Sequence, residues 1–282
     1  MQHIEFFHLD HFENNYHRVK PPESLRGFID FFWETKFDDL LAAHPAGFSD
    51  ALFPNIGYTY LINLGTPFRM QVGDRLFDMK TDGFLPRNSS IECYHQPGNC
   101  LFGIKFKVSP VIFEKKINFA EYKGYIFPLS YLMEPAVIQQ VKLAESFEAR
   151  LMILSAYFKD ILHKYQGSLK DVQVVTEILD RCNAENQFAV PVEELASRYN
   201  ISSRTLQRYF ERVTSLSSKD ALQVMRIRKA AQHIATDPVS FHYSVYGYYD
   251  HSHFYKHLKS FLKKDTVVAL KPHLKLLSSL HK

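Results

Sequence analysis

From Val192 to Leu270 apolar residues recur at spacings of three and four, the period of amphipathic helices. In VEELASRYNISSRTLQRYFERV, Leu195 and Ala196 set the apolar face of a short helix, Asn200 tolerates a left-handed turn, and Ser202 or Ser203 caps the helix that follows. There Leu206, Phe210 and Val213 face a core, which leaves Ser203, Arg204, Gln207 and Arg208 pointing outward. A long helix is predicted over Ser218–Ala235, and a second helix-turn-helix pattern, FHYSVYGYYDHSHFYKHLKSFL, follows it. Gly247 suits its turn and Asp250 or Ser252 its cap. Phe254, Leu258 and Phe261 point inward, and His251, Ser252, His253 and Lys256 remain outside.

Upstream the pattern changes. Residues 1–110 carry short aromatic and β-branched runs, FIDFFWETKF, GYTYLINL, PFRMQV, SIECYHQ and NCLFGIKFKV, separated by Pro, Gly, Asn and Asp, which predicts a sandwich or small barrel. Residues 110–166 turn helical in VIFEKK, PAVIQQVKLAESF and EARLMILSAYFKDILHKY. The apolar stripe of the last packs either on the barrel or on a second copy of the chain. The polar break at Gln166, Gly167 and Ser168 places a domain boundary there, giving units 1–166 and 167–282. The fold class is α+β: a β-rich domain with trailing helices, then an all-α domain with two helix-turn-helix units.

Composition adds a partner. Residues 170–282 hold 17 Lys and Arg against 11 Asp and Glu, a net of +6, whereas residues 1–169 hold 17 against 19, a net of −2. The positive half is the one with the outward Arg and Lys residues, as phosphate neutralisation requires. Arg takes guanine O6 and N7 in a bidentate pair and Gln takes adenine N6 and N7, so the outward face of the first pattern suits a major groove of double-stranded DNA. The chain opens MQHIEFFHLDHFE, without a basic start or apolar run, and carries no apolar stretch of membrane-spanning length, so no membrane partner and a cytoplasmic location are expected. Cys93, Cys100 and Cys182 fit reduced thiols, with Cys93 and Cys100 able to face each other across a hairpin.

Three ordered blocks, LASRYNISSRTLQRYF, RIRKAAQHI and YGYYDHSHFYKHLK, resemble the DNA-binding domain of the AraC/XylS family of bacterial transcription regulators. The resemblance implies two recognition helices joined by a linker helix, entering successive major-groove segments. Base contacts then fall to Ser203, Arg204, Gln207 and Arg208 in the first and to His251, Ser252, His253 and Lys256 in the second. It also implies a cupin-like barrel at the N-terminus, an activator's partner in RNA polymerase, and a possible homodimer. PPESLRGFIDFFWE and GIKFKVSP are similar to the N-terminal domain of one branch of the family. Many members have glycine and then proline after each recognition helix; here those places hold Ser215 and Ser218, then Lys263 and Thr266.

For a small-molecule effector, Phe31, Phe32, Trp33, Tyr58, Tyr60 and Phe102 offer an apolar lining, with Arg69 or Arg87 as polar anchor. Core packing is the competing reading of the aromatic residues. His3, His8, His11, His17, His44 and His95 make no pair at metal spacing within a predicted strand, so no metal, cofactor or catalytic residue is expected. His253 and His257 stand four apart on a helix, a spacing that also suits zinc. The function read is sequence-specific DNA binding under the control of the N-terminal domain. Two alternatives stand beside it: a metal-dependent cupin-type enzyme, and a constitutive DNA binder whose N-terminal domain recruits protein.

Overall fold

The computed structural model describes residues 1–114 and 124–262. The end of the VIFEKK segment and the positions of Lys263 and Thr266 lie outside these. Two sheets face each other. One is ordered β1 (Gln2–Ile4), β4 (Phe48–Leu52), β9 (Ile91–His95), β6 (Phe68–Val72), β7 (Arg75–Met79); the other β11 (Phe127–Pro128), β8 (Gly83–Pro86), β5 (Tyr58–Asn63), β10 (Leu101–Phe106), β3 (Ile29–Thr35), β2 (Tyr16–Val19). β1 joins β4 in parallel and the remaining pairs are antiparallel. The five aromatic segments of the sequence all become strands. A short helix, α1 (Asp38–Ala43), joins β3 to β4.

β5 and β10 are buried along their whole length, so both faces of the six-stranded sheet are covered. Side chains alternate across a strand. Leu61 and Leu101 therefore face the opposing sheet with Phe48, Met70 and Cys93, while Tyr58, Tyr60, Phe102 and Phe106 face outward into a second core. That outer face is covered by α2 (Pro135–Leu143) and α3 (Phe147–Lys164), whose Ser146 cap accepts from the Ala149 N–H. Phe158 of α3 meets the ring of Phe106 edge-on at 5.4 Å and lies 6.4 Å from that of Tyr60. The stripe of α3 thus packs on its own barrel. β9 and β10 fall in different sheets, so Cys93 and Cys100 do not face each other across a hairpin, and both are free thiols.

The remaining elements are helical: α4 (Lys170–Glu185), α5 (Val192–Arg198), α6 (Ser203–Thr214), α7 (Ser218–Thr236), a single 3₁₀ turn at Tyr243–Tyr246, and α8 (His251–Leu262). α4 buries Val172, Val175, Ile178, Leu179 and Cys182 on one stripe and ends at Asn186 in the left-handed region. The apolar core is continuous from Ile4 of β1 to Leu262 of α8. Among the described residues no helix is long and apolar enough to cross a membrane.

Because Phe158 is wholly buried between α3 and the sheet, Phe158→Ala is expected to lower unfolding free energy by about 3–5 kcal/mol, read from denaturant midpoints at unchanged slope. A loss below about 1 kcal/mol would mean the helix is not seated on this face.

Candidate functional site

The first candidate is a nucleic-acid face. Ser202 caps α6 by accepting from the Thr205 N–H at 3.1 Å, and Leu206, Phe210 and Val213 are fully buried. Arg204 and Arg208 are exposed and Ser203 is half-buried on the same side. Gln207 differs: its amide donates to Glu211 Oε1 at 2.8 Å, and its oxygen accepts from the Ser218 N–H and hydroxyl at 3.3 and 3.1 Å. The side chain ties α6 to the start of α7. Ser215 stands in the left-handed region at φ 62°, where glycine is usual. Its hydroxyl meets the Tyr58 hydroxyl of β5, a contact that glycine would lack. Both departures from the family pattern here thus have partners.

The second recognition unit is built differently. The helix before it is reduced to the 3₁₀ turn, which ends at Gly247 with φ 72°. Asp250, rather than Ser252, caps α8 by accepting from the His253 N–H at 2.7 Å. Phe254, Leu258 and Phe261 are buried, and His251, Ser252, His253 and Lys256 are exposed. Tyr248 packs beneath, its ring 3.6 Å from the Arg226 guanidinium carbon and its hydroxyl 2.8 Å from His257 Nδ1. His257 is therefore turned inward, and burial, with the nearby Arg226, lowers its pKa.

The second candidate is a cavity of about 200 Å³ between the sheets. Trp33, Leu61, Met70, Leu85, Ile91 and Leu101 form its apolar wall, and Glu5, Arg87, Lys105 and Arg228 its charged end. Of the eight residues proposed from sequence, Phe31, Trp33 and Arg87 line it. Tyr58, Tyr60 and Phe102 sit one position out of phase with the inward Thr59, Leu61 and Leu101, and Arg69 projects outward over Tyr94. Sequence reading missed Glu5, Lys105 and Arg228. Lys105 carried a signal, a single charge on the inward phase of an otherwise apolar strand.

Basic groups outnumber carboxylates at this end. Arg228 of α7 donates to both Glu5 oxygens, at 2.8 and 3.4 Å, and to the carbonyls of Phe53 and Pro54 at 3.1 and 2.8 Å. Burial would raise the Glu5 carboxyl, but the Arg228 charge and hydrogen bonds, with Arg87 behind them, hold it below the ordinary range. Arg87 is buried with a long 3.5 Å contact to the Phe53 carbonyl, and its Nε has no hydrogen-bond partner. Burial, then the neighbouring Arg87, pushes Lys105 down to about 7. Its ammonium donates to the carbonyls of Ile56 and Phe106 at 2.5 and 2.8 Å. Arg18, Arg87, Lys105 and Arg228 against the Glu5 and Asp30 carboxylates, with Arg87 under-bonded, make this end receptive to an anion.

Among the histidines read as scattered, the structure collects His3, His11 and His95 around buried Asp50. His17 lies instead against Phe147.

A short turn between α5 and α6, an exposed basic face on α6 and a second exposed polar helix after α7 define a double helix-turn-helix DNA-binding module. Residues 195–264 match the helix-turn-helix domain family, the DNA-binding domain type of AraC/XylS regulators. No curated protein sequence matches the chain. Solved structures with similar layout include ToxT of Vibrio cholerae, 12% identical over 76% of this chain and 90% of that one at a TM-score of 0.41. A ToxT structure described as bound to an unsaturated fatty acid is 11% identical over 76% and 87%, with a TM-score of 0.42. The AraC-like transcriptional activator CuxR is 9% identical over 79% and 89%, at 0.28. Likeness at this level transfers no residue role and no ligand.

Trp33, the only tryptophan of the chain, reports on the cavity. Its indole lies over Gly103, where an added Cβ would come within 2.0 Å of the ring. Gly103→Ala is therefore expected to push the indole and shift its emission maximum; an unchanged spectrum would show that the ring does not rest on the glycine.

Proposed function

We propose that the chain is a ligand-responsive, sequence-specific regulator. Its N-terminal domain, residues 1–166, takes a small amphiphilic anion, and its C-terminal domain, residues 167–282, reads DNA. The observation that carries this reading is Arg228: it belongs to α7, the helix linking the two recognition units, yet its guanidinium forms part of the cavity's charged end. An apolar wall with basic groups at one end suits a molecule with an apolar body and a carboxylate or similar head. Base contacts fall to Ser203, Arg204 and Arg208 on α6 and to His251, Ser252, His253 and Lys256 on α8. Gln207 takes a supporting place because its amide is already bonded. RNA polymerase and a second copy of the chain are the protein partners such a regulator implies.

On a cognate site, Arg204→Ala and Arg208→Ala are each expected to cost about 1–3 kcal/mol and to relax preference at one base position, while non-specific binding changes little. Gln207→Ala is expected to leave base preference largely intact and to lower stability by about 0.5–1.5 kcal/mol. Competition binding at fixed salt, together with unfolding curves, checks both; equal loss on all sequences would make the two arginines phosphate contacts.

Anion binding carries a pH signature. Lys105 titrates near 7 in the folded chain against an ordinary 10.5, so it is charged below about 7 and neutral above. Affinity for an amphiphilic carboxylate, followed through Trp33 emission, is expected to be highest below pH 7 and to fall as pH rises toward 10, with proton uptake on binding. In the ligand-free protein the sign is opposite. The unfolded chain holds this proton more tightly between those two values, so the Lys105 contribution to stability grows as pH rises through them. Lys105→Met is expected to flatten the binding profile. A profile unchanged by that substitution would remove Lys105 from the anion's surroundings.

A further inference from the structure

β1 lies in parallel register on β4 with His3 opposite Asp50. Seven residues after Ile4, the chain turns into a π-helix, His11–Asn15, that brings His11 to the same carboxylate. Such π turns are rare and concentrate at functional sites. All three side chains are at least nine-tenths buried. His11 Nε2 is 2.7 Å and His3 Nδ1 4.0 Å from Asp50 Oδ1. None of these three atoms has a hydrogen-bond partner, and His11 Nε2 meets Asp50 Oδ1 only as an ion-pair contact. The other carboxylate oxygen is fully engaged: Tyr16 donates to Asp50 Oδ2 at 2.7 Å, and His95 Nε2 lies 3.0 Å from it, with His95 Nδ1 held by Asn99 at 2.6 Å.

We propose that His3 Nδ1, His11 Nε2 and Asp50 Oδ1 form a binding site for one divalent first-row transition-metal ion. The donor atoms lie within 4.8 Å of one another. Bonds of about 2.0–2.2 Å to one tetrahedral centre put donors roughly 3.3 Å apart. Opening the His11 contact and closing the His3 contact by well under 1 Å each brings both imidazoles to that distance from Asp50 Oδ1, and the two imidazoles already stand within 4.8 Å of each other. Two imidazoles and a carboxylate suit zinc, iron(II) or cobalt(II) better than calcium or magnesium, which take oxygen. The division of labour on Asp50 is the usual one for a ligating carboxylate, one oxygen toward the ion and the other fixed by hydrogen bonds. Tyr16 also lines the cavity, so the site adjoins the barrel interior.

The test uses the full chain after chelator treatment, titrated with Co²⁺ and Zn²⁺ in competition with a chromophoric chelator. One ion per chain is expected, with the cobalt absorption of a low-coordinate nitrogen–oxygen site. His3→Gln and His11→Gln are expected to abolish that stoichiometric binding, and Tyr16→Phe to weaken it about 10–100-fold. His253→Gln with His257→Gln is expected to leave it unchanged. X-ray absorption of zinc-loaded wild type serves if the ligand variants do not fold: a shell of imidazole nitrogens and oxygen supports the site. Sulfur in that shell, no saturable binding, survival of binding in His3→Gln and His11→Gln, or loss in the His253→Gln, His257→Gln double variant would each overturn the assignment.

Discussion

Much of this molecule hangs on one half-buried guanidinium. Arg228 leaves a helix of the DNA-binding module and finds its partners, Glu5 and the Phe53 and Pro54 carbonyls, in the barrel. A largely enclosed pair of this kind contributes little net stability compared with a well-packed apolar pair, while removing one partner leaves the other charge poorly compensated. Its value lies in position: the helix seats in one register, where the guanidinium meets its acceptors. Lys105 and Arg87 sit behind the pair, so any anion entering the cavity changes the field that holds Arg228 in place.

A second bridge runs from the same sheet. Alternation along β5 sends Leu61 and Thr59 to the cavity and Tyr58 outward, where its hydroxyl meets Ser215 at the exit of α6. A non-glycine residue in the left-handed region costs on the order of 1–3 kcal/mol, and the Tyr58 contact offsets part of it. Adjacent to this, Gln207 spends its amide on Glu211 and Ser218, fixing the corner between α6 and α7. The first recognition unit is thus tied to the barrel at its exit and, through α7, at the cavity.

The helical part was largely legible because each of its signals is local. Leu206, Phe210 and Val213 repeat at helical spacing, and Ser202 and Asp250 cap as short polar residues do. The strands were legible as segments, from their aromatic runs and turn residues. The cavity lining was not. A strand covered on both faces reads as continuously apolar, so Tyr58 and Leu61 carry no mark of which face each takes. The histidine cluster was hidden for a related reason: His3, His11 and Asp50 meet through a parallel pairing of β1 with β4 and a π turn, neither of which has a sequence signature. Cys93 and Cys100 are the free thiols expected, and the turn between them leads from β9 to β10 in the opposite sheet.

The central claim is that the cavity and the DNA-reading helices communicate through Arg228. Its most direct test measures DNA affinity of wild type and Arg228→Met with and without a saturating amphiphilic carboxylate, binding of the carboxylate being followed separately through Trp33. The account predicts that the ligand changes wild-type DNA affinity by about five- to 150-fold, the usual range of coupling between sites. In Arg228→Met the ligand should still bind the cavity while DNA affinity no longer responds. An equal response in the two proteins would contradict it.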